Sequence, residues 1–173
     1  QRNAYDAALA VSGADIVEIG DADETLEMEL EGSINEKTAG VVYFASTLYQ
    51  RGSLPLETVI AIAKKYNVPV IVDAAAQLPP KENLKRFTQA GADMVIFSGG
   101  KTLCGPQDSG VIFGTRQWIE RCIRFGAPEH GICRVSKTSR EAMAGLYIAL
   151  ENYVLQDEEK RDGELREIFA KDF

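Results

Sequence analysis

Apolar residues in this chain come in short bursts, and the bursts change period. Thr38 to Ala45, Val68 to Val72, Asp93 to Phe97 and Ser109 to Gly114 are short, mostly apolar runs that read as strands, those from Val68 and Asp93 as buried ones. Ala14 to Ile19 reads as a further short strand, closed by Gly20 and Asp21. Between these runs the apolar positions recur at helical spacing. Asn3 to Ser12 predicts a helix with Ala4, Ala7, Ala8 and Val11 on one face, stopped by Gly13. A helix through about Leu30 has Asp23 or Thr25 as its cap, and Leu56 to Tyr66 predicts one with Val59, Ile60 and Ile62 turned inward and Ser53 at its start. Pro79 and Pro80 delay the next helix to Glu82–Ala90, which Gly91 ends. Thr115 precedes a helix from Arg116 to about Arg124, and Phe125 to Val135 is loop-like. Lys137 to Gln156 is a long helix with Met143, Leu146, Tyr147, Ala149, Leu150 and Val154 apolar, before a charged, helix-prone tail.

Alternation of strands and helices predicts an α/β fold, a mostly parallel or mixed sheet flanked by helices. Residues 1–136 form its α/β part. Residues 137–173 are helical only, and read as an extension of the same domain or a link to a further one.

At 173 residues the chain is long enough to bury one core. A net charge of −7 speaks against a general nucleic-acid binder, which shows a basic face. No run of 18 apolar residues is present, so no membrane-spanning helix is expected. Cys104, Cys122 and Cys133 are odd in number and lack metal-type spacing, which predicts a reduced, cytoplasmic setting. Asp21, Asp23 and Glu24 have no metal-loop pattern, and no metal is expected.

The candidate chemistry lies at two strand ends. The run Ala92–Thr102 (ADMVIFSGGKT) is a buried strand that enters a tight turn at Ser98, Gly99 and Gly100 and reaches Lys101. The strand from Val68 ends on Asp73. Ligands of open α/β sheets bind outside the carboxyl ends of the strands. An amine and a carboxylate in neighbouring β-units are what pyridoxal phosphate (PLP) needs: a lysine for the Schiff base, and an acid to keep the pyridine nitrogen protonated. Gly100, Lys101 and Thr102 imitate the end of a P-loop, but the glycine required five residues before Gly100 is Val95, inside an apolar strand. A Rossmann-type reading lacks its Gly-x-Gly-x-x-Gly after the first strand.

Asp73-Ala-Ala-Ala-Gln77, Phe97-Ser-Gly-Gly-Lys101 and Gly105-Pro-Gln-Asp-Ser-Gly110 together resemble the large domain of fold-type I PLP enzymes. More narrowly, from about Arg2 to about Tyr153 they resemble the selenocysteine synthase-like group, which includes D-glucosaminate-6-phosphate ammonia-lyase. The resemblance implies that Lys101 carries PLP, that Asp73 pairs with the pyridine nitrogen, that small Ala75 packs near the ring, and that Ser98 donates to the cofactor phosphate. The amides of Gly99 and Gly100 could add to that anion site. It also implies loss or replacement at the β-carbon of an amino substrate, such as ammonia-lyase action on an amino-sugar acid phosphate, in a homo-oligomer. Selenium transfer to a seryl-tRNA is the group's other activity. The phosphate-cupping segment and the small C-terminal domain of such enzymes have no obvious counterpart in this sequence, so a non-catalytic α/β module is the rival expectation. His130, the single histidine, lies in a loop with no partner in view, and Arg124 and Arg134 flank that loop. Cys104 stands three residues after Lys101, where a small apolar role is expected.

Overall fold

The computed structural model describes residues 6–21, 23–46 and 51–171. Its elements are α1 (Asp6–Val11), α2 (Glu27–Ser33), β1 (Val41–Phe44), α3 (Leu56–Lys65), β2 (Val70–Asp73), α4 (Asn83–Ala90), β3 (Met94–Ser98), β4 (Gly110–Gly114), α5 (Arg116–Phe125), a 3₁₀ turn (Ile132–Ser136), α6 (Arg140–Leu155) and α7 (Glu158–Lys171). The strands form one sheet in the order β1-β2-β3-β4, with β1, β2 and β3 parallel and β4 antiparallel to β3. The sheet is therefore mixed, flanked by helices.

Helices α3 and α4 pack over β2 and β3, and α5 lies against β4. Val70, Val72, Val95 and Phe97 are fully buried beneath α3 and α4, and Val59, Ile60, Ile62 and Ala63 of α3 are also buried. Phe97 stacks edge-on to Phe113 at 5.9 Å between ring centroids, and tilted to Phe87 at 6.4 Å. These pairs add directional attraction to the apolar area removed from water. Gly91 takes φ +107 to close α4, as its position at a helix end requires.

Several expectations shift. Ala14–Ile19 forms no strand: it carries no ladder, and Val17 is 70% exposed. Apolar, β-branched sequence is not enough where no neighbouring strand supplies hydrogen bonds. The first helix falls partly outside the described residues; in its described part Ala7, Ala8 and Val11 face solvent and Asp6 is the buried residue. Helix α2 has Leu26 at its N-cap rather than Asp23 or Thr25, with Glu29 Oε2 accepting from the Leu26 amide at 2.7 Å. The N-cap of α3 is Pro55 rather than Ser53, and Thr115 caps α5 without a side-chain hydrogen bond, whereas the Ser139 side chain accepts from the Ala142 amide at 3.0 Å. Of the apolar positions expected on the long helix, Leu146 and Leu150 pack on the core, but Met143, Tyr147 and Val154 are exposed.

Candidate functional site

Parallel pairing of β2 with β3 brings two carboxyl strand ends side by side. Asp73, the last residue of β2, is in register with Ile96, and Lys101 follows three residues after β3 ends at Ser98. In register across the sheet, Phe44, Asp73, Ile96 and Ile112 make one continuous row. Strand side chains alternate faces, so Ser98 shares the face of Ile96 and Asp73. Ile96 and Ile112 remain 36% and 41% exposed, although Ile96 lies on an inner strand of the sheet. Asp73 thus borders an open apolar surface at the end of the strands.

The Asp73 carboxylate is oriented by its own turn. Its Oδ1 accepts from the Ala75 amide at 2.9 Å, while the Ala74 amide donates to the Ile96 carbonyl at 2.9 Å. Among the described residues the second carboxylate oxygen has no hydrogen bond. Asp73 and Ala75 are half-buried, so the acid is neither fully solvated nor sealed in the core.

The Lys101 turn is tightly fixed in its main chain. The Gly99 amide donates to the Ser109 carbonyl, and the Gly105 amide to the Gly99 carbonyl, both at 2.8 Å. Gln107 Nε2 donates to the Gly100 carbonyl at 2.9 Å, and the Cys104 amide to the Lys101 carbonyl at 2.8 Å. Cys104 adopts φ +56, which lets the chain double back after the lysine. Helix α6 supports the turn from below: a Cβ placed on Gly105 would touch Ala149 Cβ at 3.3 Å and Leu146 Cα at 3.5 Å. The Lys101 side chain is exposed and pairs with no described acid. The main chain is held and the amine is free, the arrangement required of a lysine that must reach a ligand.

Ser98 is half-buried, opposite Gly110 in the ladder, and its hydroxyl has no partner among the described residues. The Gly99 amide is not available for an anion, because Ser109 already accepts from it; sequence alone gives no hint of that antiparallel return. Cys104 is exposed and meets Lys101 only through its main-chain amide, while His130 and, in the last turn of α5, Arg124 are exposed with no described contact that brings them to Asp73 or Lys101. No group of described His, Cys, Asp or Glu residues could hold a metal ion. No helix among the described residues is long and apolar enough to cross a membrane. What sequence reading missed is the closing of the Lys101 turn by Gln107, Ser109 and α6; the Gly105–Gly110 run was the only signal.

Residues 6–169 match the family model described as "SelA: L-seryl-tRNA selenium transferase". A D-glucosaminate-6-phosphate ammonia lyase from Salmonella typhimurium is 41% identical over 147 residues, covering 84% of this chain and 38% of that protein. The solved structure of a D-glucosaminate-6-phosphate ammonia-lyase superposes with a TM-score of 0.78 at 39% identity, over 88% of this chain and 39% of that one. A serine palmitoyltransferase from S. paucimobilis, solved with a bound PLP–myriocin aldimine, superposes with a TM-score of 0.54 at 18% identity over 75% of this chain and 35% of that one. The fold is therefore that of the PLP-dependent fold-type I enzymes, and the chain spans about two fifths of the length of the ammonia-lyase it resembles.

Proposed function

The chain belongs to the L-seryl-tRNA selenium transferase family, and from that membership we propose that it is the cofactor-holding part of a PLP-dependent lyase acting on a small amino substrate. The observation that carries the reading is the placing of Asp73 and Lys101 at adjacent carboxyl strand ends, beside the open row of Ile96 and Ile112. The residues fit the group. Asp73 has one carboxylate oxygen tied to the Ala75 amide and one free among the described residues. Ala75 is small, Ile96 and Ile112 offer an apolar surface to a flat ring, and Ser98 has a hydroxyl to give to a phosphate.

Asp73 would hold a proton on the pyridine nitrogen, Ser98 would donate to the phosphate, and Lys101 Nζ would be the point of covalent attachment. When bound, PLP supplies an electron sink for the pair left at the substrate α-carbon, so that a β-substituent can leave. When not in covalent linkage, Lys101 Nζ would serve as the base for the substrate α-proton, and the fixed main chain around it would limit where that base can go. The Gly99–Gly100 turn keeps bulk away from the same place. Similarity to the ammonia lyase favours loss of ammonia from an amino-sugar acid phosphate. The enzyme would be cytoplasmic and homo-oligomeric.

The family name itself favours the alternative, selenium transfer on a seryl-tRNA. The net charge of −7 favours the small substrate, because a tRNA-binding chain gains most of its affinity from cationic contacts with phosphates.

The test is an absorbance spectrum of the purified chain with added PLP, before and after borohydride, followed by peptide mapping. A visible-edge band, with the reduced cofactor on Lys101 and lost in Lys101→Ala, is the expected result. Labelling scattered over surface lysines, or a band that survives Lys101→Ala, overturns the assignment.

A further inference from the structure

Helix α7 reaches back to the lysine turn through one residue. Arg161 Nη2 donates to the carbonyl of Thr102, the residue next to Lys101, at 2.8 Å across 59 positions of sequence. The same guanidinium lies over the ring of Tyr153, with its carbon 5.2 Å from the ring centroid. Tyr153 is buried near the end of α6, and its hydroxyl donates to Glu158 Oε1 at 2.8 Å. Burial, with Glu158 accepting from it, pushes that phenol far above the ordinary tyrosine range, so it remains a neutral donor. Glu158 and Arg161 stand one turn apart on α7 and hold Tyr153 by its hydroxyl and its ring.

The turn is anchored a second time to the same neighbourhood. Thr102 Oγ1 donates to the Leu78 carbonyl at 2.7 Å. Lys81, three residues on, donates Nζ to the carbonyls of Val154 and Gln156 at 2.9 and 2.6 Å, where α6 ends. Thr102, residues 78–81, the end of α6 and Arg161 therefore form a closed ring of contacts around the base of the Lys101 turn.

Arg161 is held in this place at a cost. Its Nη1 is buried and has no hydrogen-bond partner among the described residues. A surface arginine would turn outward and hydrate that nitrogen. Here the bond to Thr102 and the Tyr153 ring keep it in. A cavity of about 150 Å³ lies beside it, lined by Thr102, Leu103, Cys104, Asn152 and Arg161 among others, so the turn has space to relax if the bond to Thr102 is lost.

We infer that Arg161 is a positioning residue: its guanidinium latches the Thr102 carbonyl and thereby sets where the Lys101 side chain starts. The inference rests on the reading of Lys101 as the cofactor lysine. It touches no reacting atom, and acts through the main chain of the turn. Because errors of about 1 Å in placing a reacting group cost large factors in rate, a residue that fixes the turn affects the chemistry without contacting it.

Two substitutions separate the latch from mere packing. Arg161→Met keeps an unbranched stem over Tyr153 and removes every donor; Arg161→Lys keeps the stem and one donor able to reach Thr102. The full chain carrying each is compared with wild type by hydrogen exchange at the Cys104 amide, which is bonded to the Lys101 carbonyl, and by the rate of borohydride-fixed PLP labelling at Lys101. Arg161→Met should exchange about tenfold faster at Cys104, the effect of losing one charge-assisted hydrogen bond. It should also label severalfold more slowly, and Arg161→Lys should restore most of both. Methionine and lysine variants that behave alike overturn the latch, whichever way both move. Exchange is scored without cofactor. A wild-type chain that takes no PLP at Lys101 therefore refutes the cofactor reading, while the exchange comparison still decides whether Arg161 holds the turn.

Discussion

The same glycine-to-alanine change should have opposite signs at two places in this chain. Gly99 is buried in the Lys101 turn, and a Cβ added there would overlap the Ser109 hydroxyl and lie 2.8 Å from Leu146 Cδ1 and 2.9 Å from the Ser109 carbonyl oxygen. Leu146 can rotate away. Ser109 cannot, because its hydroxyl donates to Pro106 and its carbonyl accepts from the Gly99 amide itself. Overpacking of this kind costs about 1–3 kcal/mol, and each main-chain hydrogen bond bent out of line adds about 0.5–1.5 kcal/mol. A loss of about 3 kcal/mol is expected for Gly99→Ala. With a urea slope of about 2 kcal/mol per M, the midpoint should fall by about 1.5 M. Gly163 lies inside α7 with nothing within 4 Å of its added Cβ, so Gly163→Ala should gain about 0.5–1 kcal/mol from backbone entropy. Urea denaturation followed by circular dichroism reads both. If Gly99→Ala unfolds within about 0.3 M of wild type, the turn is not packed as described, and its role in fixing Lys101 falls with it.

Asp73→Asn keeps an oxygen to accept from the Ala75 amide, so stability should stay within about 1 kcal/mol of wild type, while PLP binding, followed by absorbance titration, weakens; unchanged binding would argue against Asp73 as the pyridine partner. The Lys65 ammonium and the Tyr66 hydroxyl, both donating to Glu31, hold its carboxyl below the usual carboxylate range. A depressed folded pKa gives stability that is fully present above that range and lost as the pH falls through the folded value. The gap in urea midpoint between wild type and Glu31→Gln should accordingly be small and salt-sensitive at neutral pH, since the Lys65 and Glu31 side chains are 58% and 38% exposed, and should close below about pH 4; a gap that persists in acid contradicts the assignment. Burial, with the Cys133 thiol nearby, pushes the Cys122 thiol up. Alkylation at mildly alkaline pH should therefore modify exposed Cys104 and Cys133 before Cys122, and mass spectrometry showing equal rates would contradict it.

The four strands of the sheet, the burial of β2 and most of β3, and the standing of Asp73 at one strand end and Lys101 just past another were legible in the sequence because each is local. A β-branched run specifies a strand, a glycine after it specifies a turn, and a polar residue at a strand end is conspicuous against the apolar run. Relations between distant segments were not legible. That β4 returns antiparallel beside β3, and so spends the Gly99 amide on Ser109, depends on a crossing that no single run encodes. Ala14–Ile19 has the composition of a strand, yet strand formation requires a partner, and partners are set by the sheet as a whole. The apolar stripe of α6 suggested burial, and the fold used only Leu146, Leu150 and their neighbours, leaving Tyr147 and Val154 in solvent. Arg161 shows the limit most clearly. In the sequence it is one charge in a charged tail, and only the docking of α7 brings it to the carbonyl beside Lys101. Sequence by itself determined which chemical groups stand at the strand ends; the tertiary structure decided which of their donors and acceptors remain free, because hydrogen bonds are filled by whatever the fold brings within reach.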